Sequence, residues 1–217
     1  MLLVFISCEI EYDGETKLVV KGTVKNQDNQ SISNQDVKLF VSRNSSYIPF
    51  VFYYPSESNF IGTTSTDEFG NFTMVIPKPN KNYSEIIVEV NNDTNSLNAK
   101  RIVNIVTENF ENYELNFGTF KLYSKSDLCQ LNIRLNQINP ENEILKIEFE
   151  GDIANEIIYY NQPEDYNYYY ETNKNIKKNQ TIILKYTVKN HLTNTTSIEE
   201  NLIQIDNSNE INYTLNY

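Results

Sequence analysis

Four kinds of side chain in this 217-residue sequence could do chemistry, and their spacing limits what each can do. The two cysteines, Cys8 and Cys129, form no disulfide framework, and Leu128 and Leu131 mark Cys129 as a buried, inert thiol at a strand start. A cysteine nucleophile needs an imidazole base, yet the single histidine, His191, stands in the polar stretch 189–194. Carboxylates pair at Glu148 with Glu150 and at Glu199 with Glu200. A glycosidase pair lies about 5–9.5 Å apart across a cleft, and Glu148 and Glu150 share one strand face near that separation. Polar residues opposite Ile147 and Phe149 are, however, what an exposed sheet face requires, and the pair is read as non-catalytic. Asp67 and Glu68 are two carboxylates where calcium needs several converging oxygens. Asp67 and Gly70 are therefore read as turn formers. Asp bonds nearby backbone amides, and Gly takes positive φ without steric cost. With no Gly-rich phosphate loop, no His-containing metal spacing and no G-x-S-x-G element, no catalytic residue, metal or cofactor is assigned.

Tyrosine is the fourth kind. Tyr159, Tyr160, Tyr166, Tyr168, Tyr169 and Tyr170 surround an acidic loop with Glu164 and Asp165, and they are the candidate ligand-binding set. Rings at loop tips stack on sugar faces or anchor protein partners at low entropic cost. A second run, from Tyr47 through Phe50 and Phe52 to Tyr54, reads as either a binding surface or a buried strand. Both clusters are discounted for coding bias. Asn occurs 33 times and Ala twice, the pattern of an AT-rich genome, which supplies Tyr and Asn freely. The same bias accounts for Asn-X-Ser/Thr matches such as those at Asn44, Asn71, Asn82 and Asn194.

The net charge of −11 excludes a nucleic-acid partner, because phosphate binding needs clustered Lys and Arg. Arg43, Arg101 and Arg134 are the only arginines, and they are scattered. An acidic surface chiefly confers solubility. At 39% hydrophobic residues there is still enough apolar material for packed cores.

The elements that position these residues are strands. Alternation places Val37, Leu39 and Val41 on one face of 36–43, and similar patterns mark 17–25, 60–66, 71–76, 86–90, 101–106 and 113–123. Pro77 and Pro79 are expected to end the strand that starts at 71, since proline cannot donate to a ladder. After 124–127 the pattern restarts. Leu131, Ile133 and Leu135 alternate, as do Leu145, Ile147 and Phe149, followed by 153–160, 182–188, 202–205 and 211–217. The fold class is all-β, with two consecutive β-sandwich domains. The first spans 17–123 behind a linker at 9–16. The second spans 127–217 and is immunoglobulin- or fibronectin-like in outline.

One order of motifs points to a family. Val20-Lys21-Gly22-Thr23-Val24 is followed by Val37-Lys38-Leu39 and then by Thr66-Asp67-Glu68-Phe69-Gly70-Asn71-Phe72. Tyr83 leads into Ile86-Ile87-Val88, and 115–122 closes the set. This resembles the carboxypeptidase regulatory-like, or transthyretin-like, domain over residues 17–123, with 44–58 as an insertion. The resemblance implies a seven-stranded Greek-key sandwich that is an accessory domain and not a catalytic one.

The chain opens Met1-Leu2-Leu3-Val4-Phe5-Ile6-Ser7-Cys8. A short apolar run ending in a small residue and then Cys resembles the end of a bacterial lipoprotein signal peptide, which implies lipidation of Cys8 and a membrane partner through acyl chains. Glu9 and Glu11 resemble the surface-export signals of some Bacteroidetes lipoproteins. The expectation is a non-catalytic, outer-membrane, surface-exposed lipoprotein acting as a binding, adhesion or assembly module. The alternative is a carbohydrate-binding accessory component that uses the Tyr-rich loop.

Overall fold

The computed structural model describes residues 12–43, 46–48, 52–54, 57–80, 84–91, 96–154, 157–160 and 172–217. In chain order the first strands are β1 (Tyr12–Asn26), β2 (Asp36–Arg43), β3 (Ser46–Ile48), β4 (Phe52–Tyr54), β5 (Glu57–Ser65), β6 (Asn71–Pro79), β7 (Ser84–Val90) and β8 (Lys100–Ile105). They continue with β9 (Glu114–Leu122), β10 (Leu128–Asn136), β11 (Asn142–Glu150), β12 (Ile157–Tyr159), β13 (Asn173–Lys177), β14 (Gln180–Asn190), β15 (Thr195–Ile205) and β16 (Glu210–Asn216). Among the described residues no helix is long and apolar enough to cross a membrane. The chain is an all-β protein of two compact β-sandwich units. The first comprises the described residues within Met1–Asp93, Ala99–Lys121 and Ile157–Asn161; the second comprises those within Thr94–Asn98, Leu122–Glu156 and Gln162–Tyr217.

The first unit holds a sheet of order β6-β1-β9, a second of order β12-β8-β7-β2-β5 and a small β3-β4 hairpin. Period-two burial puts Leu18, Val20 and Val24 of β1 inward with Phe72, Met74 and Ile76 of β6. The antiparallel register sets Leu18 opposite Ile76 and Val20 opposite Met74, so apolar side chains meet on one face. Val37, Leu39 and Val41 of β2 and Ile86, Val88 and Val90 of β7 are buried with them.

Two boundaries differ from the sequence expectation. β1 begins at Tyr12, so most of the expected linker at 9–16 is strand. The Asp13 carboxylate accepts the N–H groups of Glu15 and Thr16, and Gly14 takes φ +75°. Together they form a bulge that lets a polar stretch continue the ladder, with Tyr12 opposite Pro79. β6 likewise runs through Pro77 to Pro79. It is an edge strand, where a missing donor costs no ladder bond.

The second unit pairs a sheet of order β13-β10-β16 with one of order β11-β14-β15. Cys129, Leu131, Ile133, Ile144, Ile176, Ile182, Leu184, Ile203, Ile205 and Leu215 form its core, with Tyr213 and Tyr217 packed at the margin. One segment departs from the expected 127–217 domain. Ile153 bridges Ile176 within the second unit, but β12 pairs in parallel with β8 and belongs to the first. Alternation states that a strand has a buried face; it does not state which sheet supplies the partner.

Candidate functional site

The turn between β5 and β6 is built from the residues that define the motif. The buried Thr66 hydroxyl donates to the Ile32 carbonyl at 2.6 Å and accepts the Gln35 N–H at 2.9 Å. This ties the turn to the segment entering β2. Asp67 Oδ1 accepts the N–H groups of Phe69 and Asn71 at 2.9 and 2.8 Å. Gly70 has φ +78°, and a Cβ there would lie 2.4 Å from the Val24 carbonyl oxygen. That closeness lets the Gly70 carbonyl accept the Val24 N–H at 2.7 Å. These groups hold the chain's own backbone, an Asx-turn chemistry.

An aromatic row follows. Gly22 leaves room for two rings, because a Cβ would sit 2.9 Å from Phe72 and 3.0 Å from Phe120. Phe72 packs on Phe120 at 5.8 Å between centroids, Phe120 on Phe117 at 5.7 Å, and Phe117 edge-on to Tyr160 at 6.0 Å. Such tilted and T-shaped contacts suit the ring quadrupoles. The Tyr160 N–H donates to the Val103 carbonyl at 2.9 Å. Tyr160 is thus half-buried in the first unit, in contact with β9. Tyr159 enters as backbone, opposite Val103 in the β12–β8 ladder. Tyr166, Tyr168, Tyr169 and Tyr170 lie outside the described residues, as does Cys8. Tyr47, Tyr53 and Tyr54 are described as the backbone of the β3–β4 hairpin.

The remaining candidates are engaged separately. Cys129 is fully buried in the second core, and burial, followed by the Asp206 charge, raises its thiol above the ordinary range. Such a thiol is a poor nucleophile at neutral pH. The exposed His191 Nε2 meets the Glu143 carboxylate at 2.7 Å. Glu148 pairs with Lys146 at 2.8 Å. Glu150 is hydrogen-bonded to Lys185, which also reaches Glu200 at 3.4 Å. These bonds raise the Lys185 ammonium's pKa. Two carboxylates with separate cationic partners on an open face are a salt-bridge lattice. Among the described residues no group of three or more His, Cys, Asp or Glu is placed to hold a metal ion.

Two buried polar positions were not singled out from sequence. Lys100, two residues before Ile102 on the inward parity of β8, has its ammonium pKa lowered by burial and by Lys121. The Tyr123 hydroxyl lies 3.4 Å from the Asp152 carboxylate, and burial, reinforced by that charge, raises its pKa to about 12. Beside it, the buried Asn98 accepts the Tyr123 N–H through Oδ1 at 2.7 Å and donates to the Ala154 carbonyl at 3.4 Å. The alternation around Lys100 was a readable signal. The Tyr123–Asp152 contact joins residues 29 apart and had none.

No family model matches the chain, and no curated protein matches it. Among solved structures, the Bacillus anthracis TIE protein aligns over 92% of this chain at 13% identity with a TM-score of 0.35. The shaft pilin spaA from Lactobacillus rhamnosus GG aligns over 93% of this chain and 98% of its own at 10% identity, TM-score 0.34. A 9R-lipoxygenase from Cyanothece PCC8801 aligns over 54% of this chain at 13% identity, TM-score 0.31. The chain spans 34% of the TIE protein and 18% of the lipoxygenase. Overlaps this loose carry no functional argument.

Proposed function

We propose that the protein is a non-catalytic lipoprotein of the bacterial cell envelope, acting as a binding, adhesion or assembly module. Its first sandwich is of the carboxypeptidase regulatory-like type. The observation that carries the non-catalytic reading is the engagement of the reactive side chains. Asp67 holds a turn, Cys129 fills a core, His191 and Glu143 pair at the surface, and Glu148 and Glu150 have lysine partners. The family reading is supported by the mechanics of the motif, since Gly22, Thr66, Asp67, Gly70 and Phe72 each have a contact that explains their type. The anchor reading is supported by Ser7-Cys8 after an apolar run and by the acidic residues that follow.

Metabolic labelling with a fatty acid tests the anchor. The precursor carries label and fractionates with membranes, and Cys8→Ala abolishes both. An unlabelled wild-type protein overturns the anchor. A hydrolase activity that survives purification and depends on Glu148 or Glu150 overturns the non-catalytic reading.

A further inference from the structure

Among the described strands at the edges of the second unit's sheets, β15 is the longest. It has eleven residues, is bonded to β14 on one side, and has no partner on the other among the described residues. Natural edges are blunted by short length, proline, charged side chains (lysine above all, and any charge on the inward face) or a bulge, and of these β15 carries only the charges Glu199, on the inward face, and Glu200. β15 contains no proline and no lysine, and its register with β14 runs unbroken from Gln180 opposite Ile205 to Asn190 opposite Thr195. By contrast, β11, on the other side of β14, has a register shift between Ile144 and Lys146. The outward face of β15 also carries two large apolar side chains, Ile198 at 70% and Leu202 at 68% exposure.

We propose that β15 is a self-association edge, pairing antiparallel with β15 of a second copy to make one continuous six-stranded sheet. The sequence of the strand selects the occupant and the register. A two-fold axis through Glu200 pairs all eleven residues, because Glu200 is the midpoint of Thr195–Ile205. In that register Ile198 stands opposite Leu202 of the other copy, and Leu202 opposite Ile198. Inward-facing residues remain opposite inward-facing ones, Ser197 with Ile203 and Glu199 with Asn201. Sliding the register by one pair in either direction sets Glu200 against Ile198 or Leu202, and one of these slides also opposes the two Glu199 side chains. The central register opposes the two Glu200 carboxylates, but each already has the Lys185 ammonium of its own copy at 3.4 Å. Like charges across strands destabilise a pair, and these counter-ions offset that cost. Ile183, opposite Leu202 on β14, extends the apolar cluster behind the new seam. The inference goes beyond the proposed envelope role and needs neither the lipid anchor nor a ligand.

The test uses the full chain with Cys8→Ser, so that an added thiol is the one reactive cysteine beside the buried Cys129. Sedimentation equilibrium from low micromolar to near-millimolar concentration is expected to show reversible dimers. Ile198→Lys and Leu202→Lys, at surface positions that leave the β circular dichroism unchanged, each weaken the dimer about tenfold or more. The register has its own readout. Directly opposed residues place Cβ atoms about 4.5–5.5 Å apart, so Glu200→Cys forms a disulfide-linked dimer on mild oxidation. Leu202→Cys alone does not, because its two copies lie four residues apart, about 13 Å along the strand. A strictly monomeric protein overturns the proposal. So does a dimer indifferent to both lysine variants, or cross-linking of Leu202→Cys in preference to Glu200→Cys.

Discussion

At the residue scale, the abundance of Asn has a structural use as well as a coding origin. With six glycines in the chain, the left-handed region is filled largely by Asn29, Asn34, Asn91, Asn104, Asn112, Asn179 and Asn194. Asn tolerates this region better than other non-glycine residues because its short amide bonds locally. Tyr113 is the exception, at φ +69° directly after Asn112 at +48°. These two residues make the tight turn in which Glu111 and Glu114 exchange backbone hydrogen bonds. Asn-Gly is the favoured pair for such a turn. The Tyr113 side chain is 62% exposed, so replacing it forfeits little packing. Tyr113→Gly is expected to stabilise the protein by about 0.5–1 kcal/mol, the strain relieved less the added backbone entropy of glycine. The check is a higher urea midpoint at unchanged m-value; an unchanged or lower midpoint would show that Tyr113 bears no strain. Gly70 is the converse case, since its φ and the Val24 carbonyl together exclude any side chain.

At the element scale, the decisive strand is β12. It is three residues long, and it adds to the five-stranded sheet by parallel pairing with Arg101, Ile102 and Val103 of β8. Its contribution is main-chain hydrogen bonding, extended by the bond from the Tyr160 N–H to Val103. Ile158→Pro removes a donor and fixes φ, and is expected to cost about 1–3 kcal/mol. Hydrogen exchange locates the loss, with faster exchange of the Arg101 and Val103 amides, which face β12, while β14 keeps its protection. Faster exchange confined to β10 and β14 would return 157–160 to the second unit. The outcome matters for the Tyr-rich candidate set, because Tyr159 and Tyr160 are fixed by this pairing and by Phe117.

At the scale of the whole molecule, stability at alkaline pH follows from Tyr123. Burial and Asp152 raise its hydroxyl from 10.0 to about 12 in the folded chain. Between those values the unfolded chain has released the proton and the native chain has not. Stability therefore falls as pH rises through that window, and the contribution is complete below it. Tyr123→Phe is expected to flatten the decline in melting temperature across the same range. In native wild type, the ultraviolet tyrosine titration should show a late step, to which the raised Tyr12 and Tyr186 also contribute, that shrinks in Tyr123→Phe and that denaturant removes. A Tyr123→Phe profile that runs parallel to wild type would assign the alkaline loss to other groups.

Local pattern was enough for the β class and for the inward residues of β1, β2, β6 and β10. Each of these depends on period-two alternation or on turn residues adjacent in sequence. The Thr66–Phe72 turn was legible for the same reason, because Asp67 bonds amides two and four residues away. What local pattern could not give are pairings between segments far apart in sequence. The sequence near Tyr12 and around Pro77 and Pro79 reads as linker and terminator; a bulge and an edge position make both of them strand. The stretch near 157 reads as part of the second domain, and its hydrogen bonds go to β8 of the first. Whether Tyr160 is a loop-tip ligand or a packed ring, and whether β15 is covered or open, depended on which backbone groups found partners. That is a property of the folded chain, since a strand's burial pattern is the same whichever sheet completes it.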